Sequence, residues 1–372
     1  MLGFLAADRA FLAGYDAEIQ ALEAQVAAIK SSISLLRAAR RTARQRLRCY
    51  KYPVLTLPNE IIAEIFLRFL PLYPDVQPLL GDLSPMRLTH ICRQWRDIAC
   101  TTPQLWRAID LNPKNVDNLP TILEGTLALT DLWVSRSGHC PLSIRMGSQH
   151  DPLSILAPLI PHCNRWEHLT WRLDSTRPLS WIRSLPLLKS FDLEFSTSAA
   201  DDEIVVLQDL PLLSTVILDD FRIPHIILPW SQLTSLTLKW IYPGHCVSIL
   251  QQTTRLVQCT LLLGIADETE NDFVNVVLPH LETLDVQAED DIDANFFQCL
   301  VTPALHYLCF PEHLLQPNPI QSLNLFISRS GCHLDKLLVT EASVSQNAYS
   351  NAFHYILDVD VQEPSDSDFE SD

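Results

Sequence analysis

Four places in the chain set a histidine beside a cysteine: His139/Cys140, His162/Cys163, His245/Cys246 and Cys332/His333. Imidazole nitrogen and thiolate sulfur are zinc ligands. Immediate neighbours, however, seldom reach one tetrahedral ion together, and no Cys-x-x-Cys pair accompanies them. The spacing therefore predicts no metal centre. Other chemistry is as thinly represented. The nine glycines never fall closer than nine positions apart, which argues against phosphate-cradling and dinucleotide loops. Neither Gly-x-Ser-x-Gly nor His-Glu-x-x-His occurs. Ser365, Ser367 and Ser371 stand between acidic residues, as substrates of acid-directed kinases do, although a plain solubilising tail is the preferred reading. No catalytic residue and no cofactor are expected, so the chemistry to look for is recognition.

The apolar side chains that recognition would use are concentrated in residues 57 to 110. Pro58 suits a first helical turn through its fixed φ and missing donor, and Glu60 favours the positive end of the helix dipole. Ile61, Ile62, Ile65, Phe66, Phe69 and Leu70 then form a stripe wide enough to touch two neighbours. A second helix is predicted over Thr89 to Cys100, with Ile91, Trp95 and Ile98 on one side, stopped by Thr101, Thr102 and Pro103. Between the two, Pro71, Pro74, Pro78 and Pro85 exclude a continuous helix and predict an extended loop. Such helices either pack on the rest of the same chain or meet a partner.

The residue types favour a partner, because the segment resembles the F-box. That family's pattern runs Leu-Pro, Glu with paired aliphatics, Ile-Phe, a later Leu, Ile-Cys-Arg-x-Trp-Arg and a final Pro-x-Leu-Trp. Here it is carried by Leu57, Pro58, Glu60, Ile61, Ile62, Ile65, Phe66, Leu88, Ile91, Cys92, Arg93, Trp95, Arg96, Pro103, Leu105 and Trp106. The resemblance implies a three-helix module docking on the Skp-type adaptor of an SCF ubiquitin ligase, and through it on a cullin scaffold. The implied adaptor-binding residues are Leu57, Pro58, Ile61, Ile62, Ile65, Phe66, Leu88, Ile91, Cys92, Trp95, Leu105 and Trp106. The four-proline segment departs from a compact F-box and is expected to reshape one side of that surface.

Upstream, Leu5, Leu12, Ile19, Val26, Ile33, Arg40 and Leu47 share one heptad position, and Asp8, Tyr15, Leu22, Ile29, Leu36, Ala43 and Tyr50 another. That is a coiled-coil seam, strongest from Leu12 to Leu36. It predicts homodimerisation, the alternative being a helix laid on the domain behind it. Arg37, Arg40, Arg41, Arg44, Arg46, Arg48 and Lys51 follow with no acidic residue among them. Without interleaved aromatics or a base-reading fold, this run reads as a solvated helix face rather than a nucleic-acid site.

Beyond Trp106 a phrase Leu-x-x-Leu-x-Leu recurs. It stands at Leu188, Phe191, Leu193; Leu213, Val216, Leu218; Leu233, Leu236, Leu238; Leu256, Cys259, Leu261; Leu281, Leu284, Val286; and Leu305, Leu308, Phe310. Successive copies are offset by 25, 20, 23, 25 and 24 residues. Looser copies flank the block at Trp166, Leu169, Trp171 and at Leu334, Leu337, Val339, and Trp106, Ile109, Leu111 start the series. The phrase resembles leucine-rich repeats, in which each copy is a short strand stacked on the next. The Asn or Cys expected after each strand is missing, its places being held by Ser196, Phe221, Ile241, Gly264 and Glu289. An irregular arc is predicted, against the alternative of leucine-rich core strands in some other α/β domain. Its sheet would expose target-binding residues Asp192, Glu194, Asp219, Lys239, Trp240 and Asp285, with Ile217, Thr237 and Gln287 among them.

Composition fits a soluble intracellular chain of several parts. Its 372 residues are 47% hydrophobic, no stretch approaches a membrane span, and Asp8 and Arg9 spoil the start as a signal peptide. The ten cysteines are not spaced as a disulfide scaffold, so reduced thiols in cytoplasm or nucleus are expected. A formal charge of −17 disfavours nucleic acid. The expected fold is α/β: a coiled-coil helix over 1–50, a three-helix F-box over 51–111, a leucine-rich-repeat-like solenoid over 112–357 and an acidic disordered tail over 358–372. The expected function is that of a substrate-recognition subunit of an SCF-type ligase, the alternative being a coiled-coil scaffold with no role in ubiquitin transfer. The organisation resembles F-box families of mushroom-forming fungi, which often place a short coil directly before Leu-Pro-x-Glu.

Overall fold

The structure, a computed structural model, describes residues 2–49, 53–112, 119–147, 156–173, 184–195, 205–207, 209–219, 226–264, 274–288 and 296–363. The chain is mixed α/β and divides into two units, Met1–Ile62 and Ala63–Asp372. The first holds α1, Leu2–Cys49, a helix of 48 residues and about 72 Å. Ala, Glu, Gln, Leu and Arg, all strong helix formers, fill most of it. Among the described residues no helix is long and apolar enough to cross a membrane.

Helix α2, Asn59–Phe69, crosses the division and begins where expected, with Ile61 and Ile62 N–H groups donating to the Pro58 carbonyl at 3.1 Å. The single helix predicted over Thr89 to Cys100 is instead two, α3 (Met86–Ile91) and α4 (Arg93–Cys100). Between them Cys92 is extended, at φ −155° and ψ 170°, and its Sγ accepts from the Trp95 N–H at 3.4 Å. Cys92 is thus an N-cap, supplying one of the acceptors that a helix start lacks. Arg96 Nε donates to the Thr89 carbonyl at 2.8 Å and ties α4 back to α3.

Among the described residues, the main sheet of the second unit has twelve strands. They are β1 (Gln77–Pro78), β2 (Ala108–Leu111), β3 (Leu142–Met146), β4 (Trp166–Leu173), β5 (Ser190–Phe195) and β6 (Thr215–Asp219). They continue as β7 (Ser235–Ile241), β8 (Gln258–Leu263), β9 (Thr283–Ala288), β10 (Tyr307–Pro311), β11 (Lys336–Thr340) and β12 (Asp358–Val361). Each pairs in parallel with the next in the chain, so spatial order repeats sequence order. Each strand must therefore be followed by a crossover to the starting end of the sheet. Helix α5 (Leu119–Arg136) lies between β2 and β3, α6 (Pro243–Leu250) between β7 and β8, α7 (Pro319–Ser330) between β10 and β11, and α8 (Gln346–Ala352) between β11 and β12. Among the described residues, the connection from β6 to β7 includes the 3-10 turn Trp230–Gln232 and that from β9 to β10 the turn Phe296–Cys299.

Every leucine-type position of the six main copies is buried. The register aligns them: Leu169, Phe191, Val216, Leu236, Cys259, Leu284, Leu308 and Leu337 are successive partners across eight strands. Alternation does the rest, since period-two side chains send one row inward and the residues between them outward. Full burial of each such side chain is worth roughly 1.5 to 3 kcal/mol. In place of an Asn ladder, backbone does the stitching one step before each strand. Ser214 N–H donates to the Lys189 carbonyl, Thr234 to Ser214, Val257 to Thr234, Glu282 to Val257 and His306 to Glu282, all at 2.9 to 3.0 Å.

Three elements differ from expectation. The proline segment is not simply a loop, because Gln77 and Pro78 pair with Ile109 and Asp110 as the first strand of the sheet. Gln77 is buried and its side-chain amide donates to the Leu105 carbonyl at 3.0 Å. Strand β3, with Leu142, Ile144 and Met146 inward, is an additional copy in which a register shift between Leu142 and Ser143 shortens the spacing to Leu-x-Ile-x-Met. The tail expected to be disordered from Asp358 starts as β12 instead, because Val359 and Val361 alternate with Asp358 and Asp360, and Lys336 pairs with Asp358 at 3.0 Å. Residues 364–372, including the three acid-flanked serines, lie outside the described residues.

Towards the last strands sits a buried carboxylate, Glu312, which is 1% exposed. It accepts hydrogen bonds from the Ser343 hydroxyl and N–H, the Val344 N–H at 3.2 Å and the Tyr349 hydroxyl at 3.1 Å. Burial, and then the neighbouring carboxylate, push the Tyr349 phenol well above its usual range, so it stays a donor. Glu312→Ala strands these donors and should cost about 3 to 5 kcal/mol of stability by urea denaturation, with Glu312→Gln losing less.

Candidate protein-binding surfaces

Helix α2 has two dissimilar faces. Ile62, Phe66 and Leu70 are buried, whereas Ile61, Ile65 and Phe69 are 48%, 45% and 43% exposed. Spaced i, i+4 and i+8, the exposed three form one continuous stripe along the helix. Leu57 and Pro58 are exposed before it, and Ile91 is exposed at the end of α3. Exposed apolar groups on short helices are the kind of surface that makes a candidate protein-binding site.

Of the twelve residues expected to touch an adaptor, Ile62, Phe66, Leu88, Leu105 and Trp106 are interior in this chain. Leu88 is 4% exposed in α3, and Leu105, in the 3-10 turn Pro103–Trp106, is wholly buried. Trp106 donates through Nε1 to the Ala99 carbonyl at 2.8 Å, meets Trp133 of α5 edge-on at 5.4 Å, and carries the Arg136 guanidinium over its ring at 4.4 Å. It fastens the end of α4 to α5. Cys92 is half-buried and spent on its cap. Trp95 is half-exposed, stands edge-on to Phe66 at 4.9 Å, and among the described residues its Nε1 has no hydrogen-bond partner. Leu57, Pro58, Ile61, Ile65 and Ile91 are the residues of the twelve that stand at the surface.

The proline segment is held to the sheet face. Tyr73 donates its hydroxyl to Glu167 Oε2 at 2.5 Å, and the Arg107 guanidinium lies over the Tyr73 ring at 3.7 Å. Lys189 Nζ reaches Glu167 Oε1 at 2.6 Å and Ser143 Oγ donates to the Pro74 carbonyl at 2.5 Å. Burial alone would raise the Glu167 carboxyl, but the Lys189 and Tyr73 hydrogen bonds outweigh it and the pKa falls below the usual value.

Five of the six residues expected to bind a target stand on the outward face of the sheet. Asp192 and Asp285 belong to one row, with Thr170, Ile217, Thr237 and Thr260, and Glu194, Asp219 and Lys239 belong to the next. Much of the charge is already paired: Arg172 with Glu194 at 2.7 Å and Lys239 with Asp219 at 3.1 Å. Burial raises the Asp192 carboxyl above its usual pKa, and Lys239 lowers it in part. Beside these rows runs a line of uncharged polar side chains, Ser190, Thr215, Ser235, Gln258 and Thr283. The face is broad and polar, with Asp192 and Asp285 outside these two ion pairs.

Trp240 is the exception. Regular alternation after Leu236 and Leu238 would turn it into the core. Instead Leu262 pairs with Lys239 and Leu263 with Ile241, so Trp240 is the extra residue of a β-bulge, Ile241 takes the inward place, and the indole is left 39% exposed. Its φ of +56° is a left-handed conformation that bulky side chains rarely hold. Sequence alone marked the tryptophan but not the bulge, since nothing in Lys-Trp-Ile announces a skipped residue.

The cysteines serve the interior. Cys246, Cys259, Cys299, Cys309 and Cys332 are buried, and burial pushes the Cys259 thiol up to about 12 and that of Cys299 up to about 11. Such thiols stay protonated and unreactive. Among the described residues no three His, Cys, Asp or Glu side chains converge as metal ligands.

Comparison with known proteins agrees with the helical part of this description: residues 54–112 match the F-box-like family. The chain therefore carries an F-box-like domain, whose helices are α2 to α4. No curated protein matches the chain.

The bulge makes a distinct forecast. In an ordinary strand alanine is more stable than glycine, but at a positive φ the order reverses. Trp240→Gly should therefore be about 1 kcal/mol more stable than Trp240→Ala by thermal or urea unfolding.

Proposed function

We propose that this chain is a substrate receptor of an SCF-type cullin-RING ubiquitin ligase. The observation that carries the reading is the F-box-like match over residues 54–112, on a segment whose α2 leaves Ile61, Ile65 and Phe69 uncovered. In this reading the stripe, with Leu57, Pro58 and Ile91, enters a groove of a Skp-type adaptor, and the adaptor links the chain to the cullin. Trp95, half-exposed, lies at the margin of that contact. The interior residues of the motif hold the helices in the shape that presents the stripe.

The sheet is the target-binding part. Its parallel strands in sequence order, its period of 20 to 25 residues and its buried Leu-x-x-Leu-x-Leu rows support a leucine-rich-repeat arc with unequal crossovers. A protein target would lie on the outward face, using Trp240 as an apolar anchor among the Asp192, Glu194, Asp219, Lys239 and Asp285 side chains. The chain itself performs no covalent step: it raises the local concentration of a target near the ubiquitin donor, and the thioester chemistry belongs to other subunits. Cytoplasm or nucleus, where such ligases work, is the compartment this implies.

The helix α1 joins two receptors. Its seam residues Leu12, Ile19, Leu22, Val26 and Ile29 are each about half exposed or more, far from the burial that a folded apolar stripe normally reaches. A second copy of the same helix is the proposed cover.

Two experiments test the two halves. Co-purified with a Skp-type adaptor, the wild-type chain should form a one-to-one pair per protomer. Ile65→Asp with Phe69→Asp should weaken it roughly a hundredfold or more by calorimetry while leaving the unfolding midpoint nearly unchanged, because both side chains are surface residues. A wild-type chain that ignores the adaptor ends the ligase reading. For self-association, Leu22→Asp with Ile29→Asp should turn dimers into monomers in sedimentation; an unchanged mass removes the dimer.

A further inference from the structure

Charge along α1 is segregated. Its first half carries Asp8, Asp16, Glu18 and Glu23 against the single cation Arg9, whereas from Val26 to Cys49 seven cations occur and no acid. The apolar seam is broken by a charge near each end: Asp8 at one heptad position and Arg40 at the other, both exposed. From these two facts we infer that the second copy lies antiparallel, in the single register that sets Asp8 of each helix against Arg40 of the other. This rests on the proposed self-association of α1 and specifies its geometry.

The register is over-determined by the sequence. Placing Asp8 opposite Arg40 also places Leu12 opposite Leu36, Ile19 opposite Ile29 and Val26 opposite Leu22, so that apolar side chains fill the layers between the two charged ones. A slide of one heptad breaks it, setting Arg40 against Tyr15 and Asp8 against Leu47. A parallel, in-register pair is worse: Asp8 would face Asp8, Arg40 would face Arg40, and the arginine-rich ends would lie side by side. Like charges at facing seam positions oppose association, whereas in the antiparallel pair each basic half lies along an acidic one. The arrangement is two-fold symmetric, so every contact occurs twice and a charge change at one residue counts twice in the dimer.

The test is sedimentation equilibrium of the full-length chain at physiological salt, comparing wild type, Asp8→Arg, Arg40→Asp and the double reversal, with circular dichroism confirming that α1 remains helical. The antiparallel register predicts that each single reversal weakens the dimer about tenfold, since it converts two attractive contacts into repulsive ones, and that the double reversal returns it to within about threefold of wild type. Single reversals that leave the dimer unchanged overturn the antiparallel orientation while leaving self-association intact. A double reversal that stays as weak as the singles overturns the register. A wild-type chain that sediments as a monomer overturns self-association and the orientation together.

Discussion

A leucine row in this sheet is buried because the following strand lies beside it, in register and pointing the same way. No one strand could hide its own apolar side, so the arrangement holds only as a stack. Parallel order obliges each strand to be followed by a return path, and among the described residues the returns include an eighteen-residue helix in one place and a three-residue 3-10 turn in another. The strands tolerate this because their alignment is fixed at the turn before each one, by an N–H reaching the carbonyl one strand back. Irregular crossovers and a regular sheet therefore coexist.

The same logic of covering divides the F-box-like helices. Residues of one motif separate into those whose apolar surface this chain covers and those whose surface it leaves in water. Trp106 belongs to the first kind, seated on Trp133 beneath Arg136. Ile65 belongs to the second. A motif defined by residue type does not distinguish the two, because both kinds are large, apolar and fixed in spacing. Orientation around the helix distinguishes them, and it depends on which neighbour the chain supplies.

Much of the fold could be read directly from residue type and spacing. The period-two phrase located the strands from Leu188 to Phe310, since a buried row tolerates little but aliphatic and aromatic side chains. The long amino-terminal helix followed from its heptads. What escaped was local. The extended Cys92 splits a helix whose periodicity reads through it, since a thiol is an uncommon cap. Strand β3 hides because Leu142 stands two residues before Ile144 instead of three, a spacing that the register shift beside Trp166 absorbs. Asp358 to Val361 look like tail by charge, although two valines suffice to seat them on β11. On the outward face, the expected charged residues are where alternation puts them, yet neighbouring strands neutralise several of them, which no single strand reveals.

A sheet that adds strands in order has no built-in stopping point, and its two ends would otherwise be templates for further growth. At one end stands a two-residue strand containing Pro78, whose nitrogen has no hydrogen to donate. At the other stands β12, with Asp358 and Asp360 both exposed. A short, proline-blunted margin and an acidic margin cannot join each other or their own copies without stranding a carbonyl or crowding carboxylates. The molecule is thereby protected from polymerising end to end into fibres, a hazard inherent in any array of like strands.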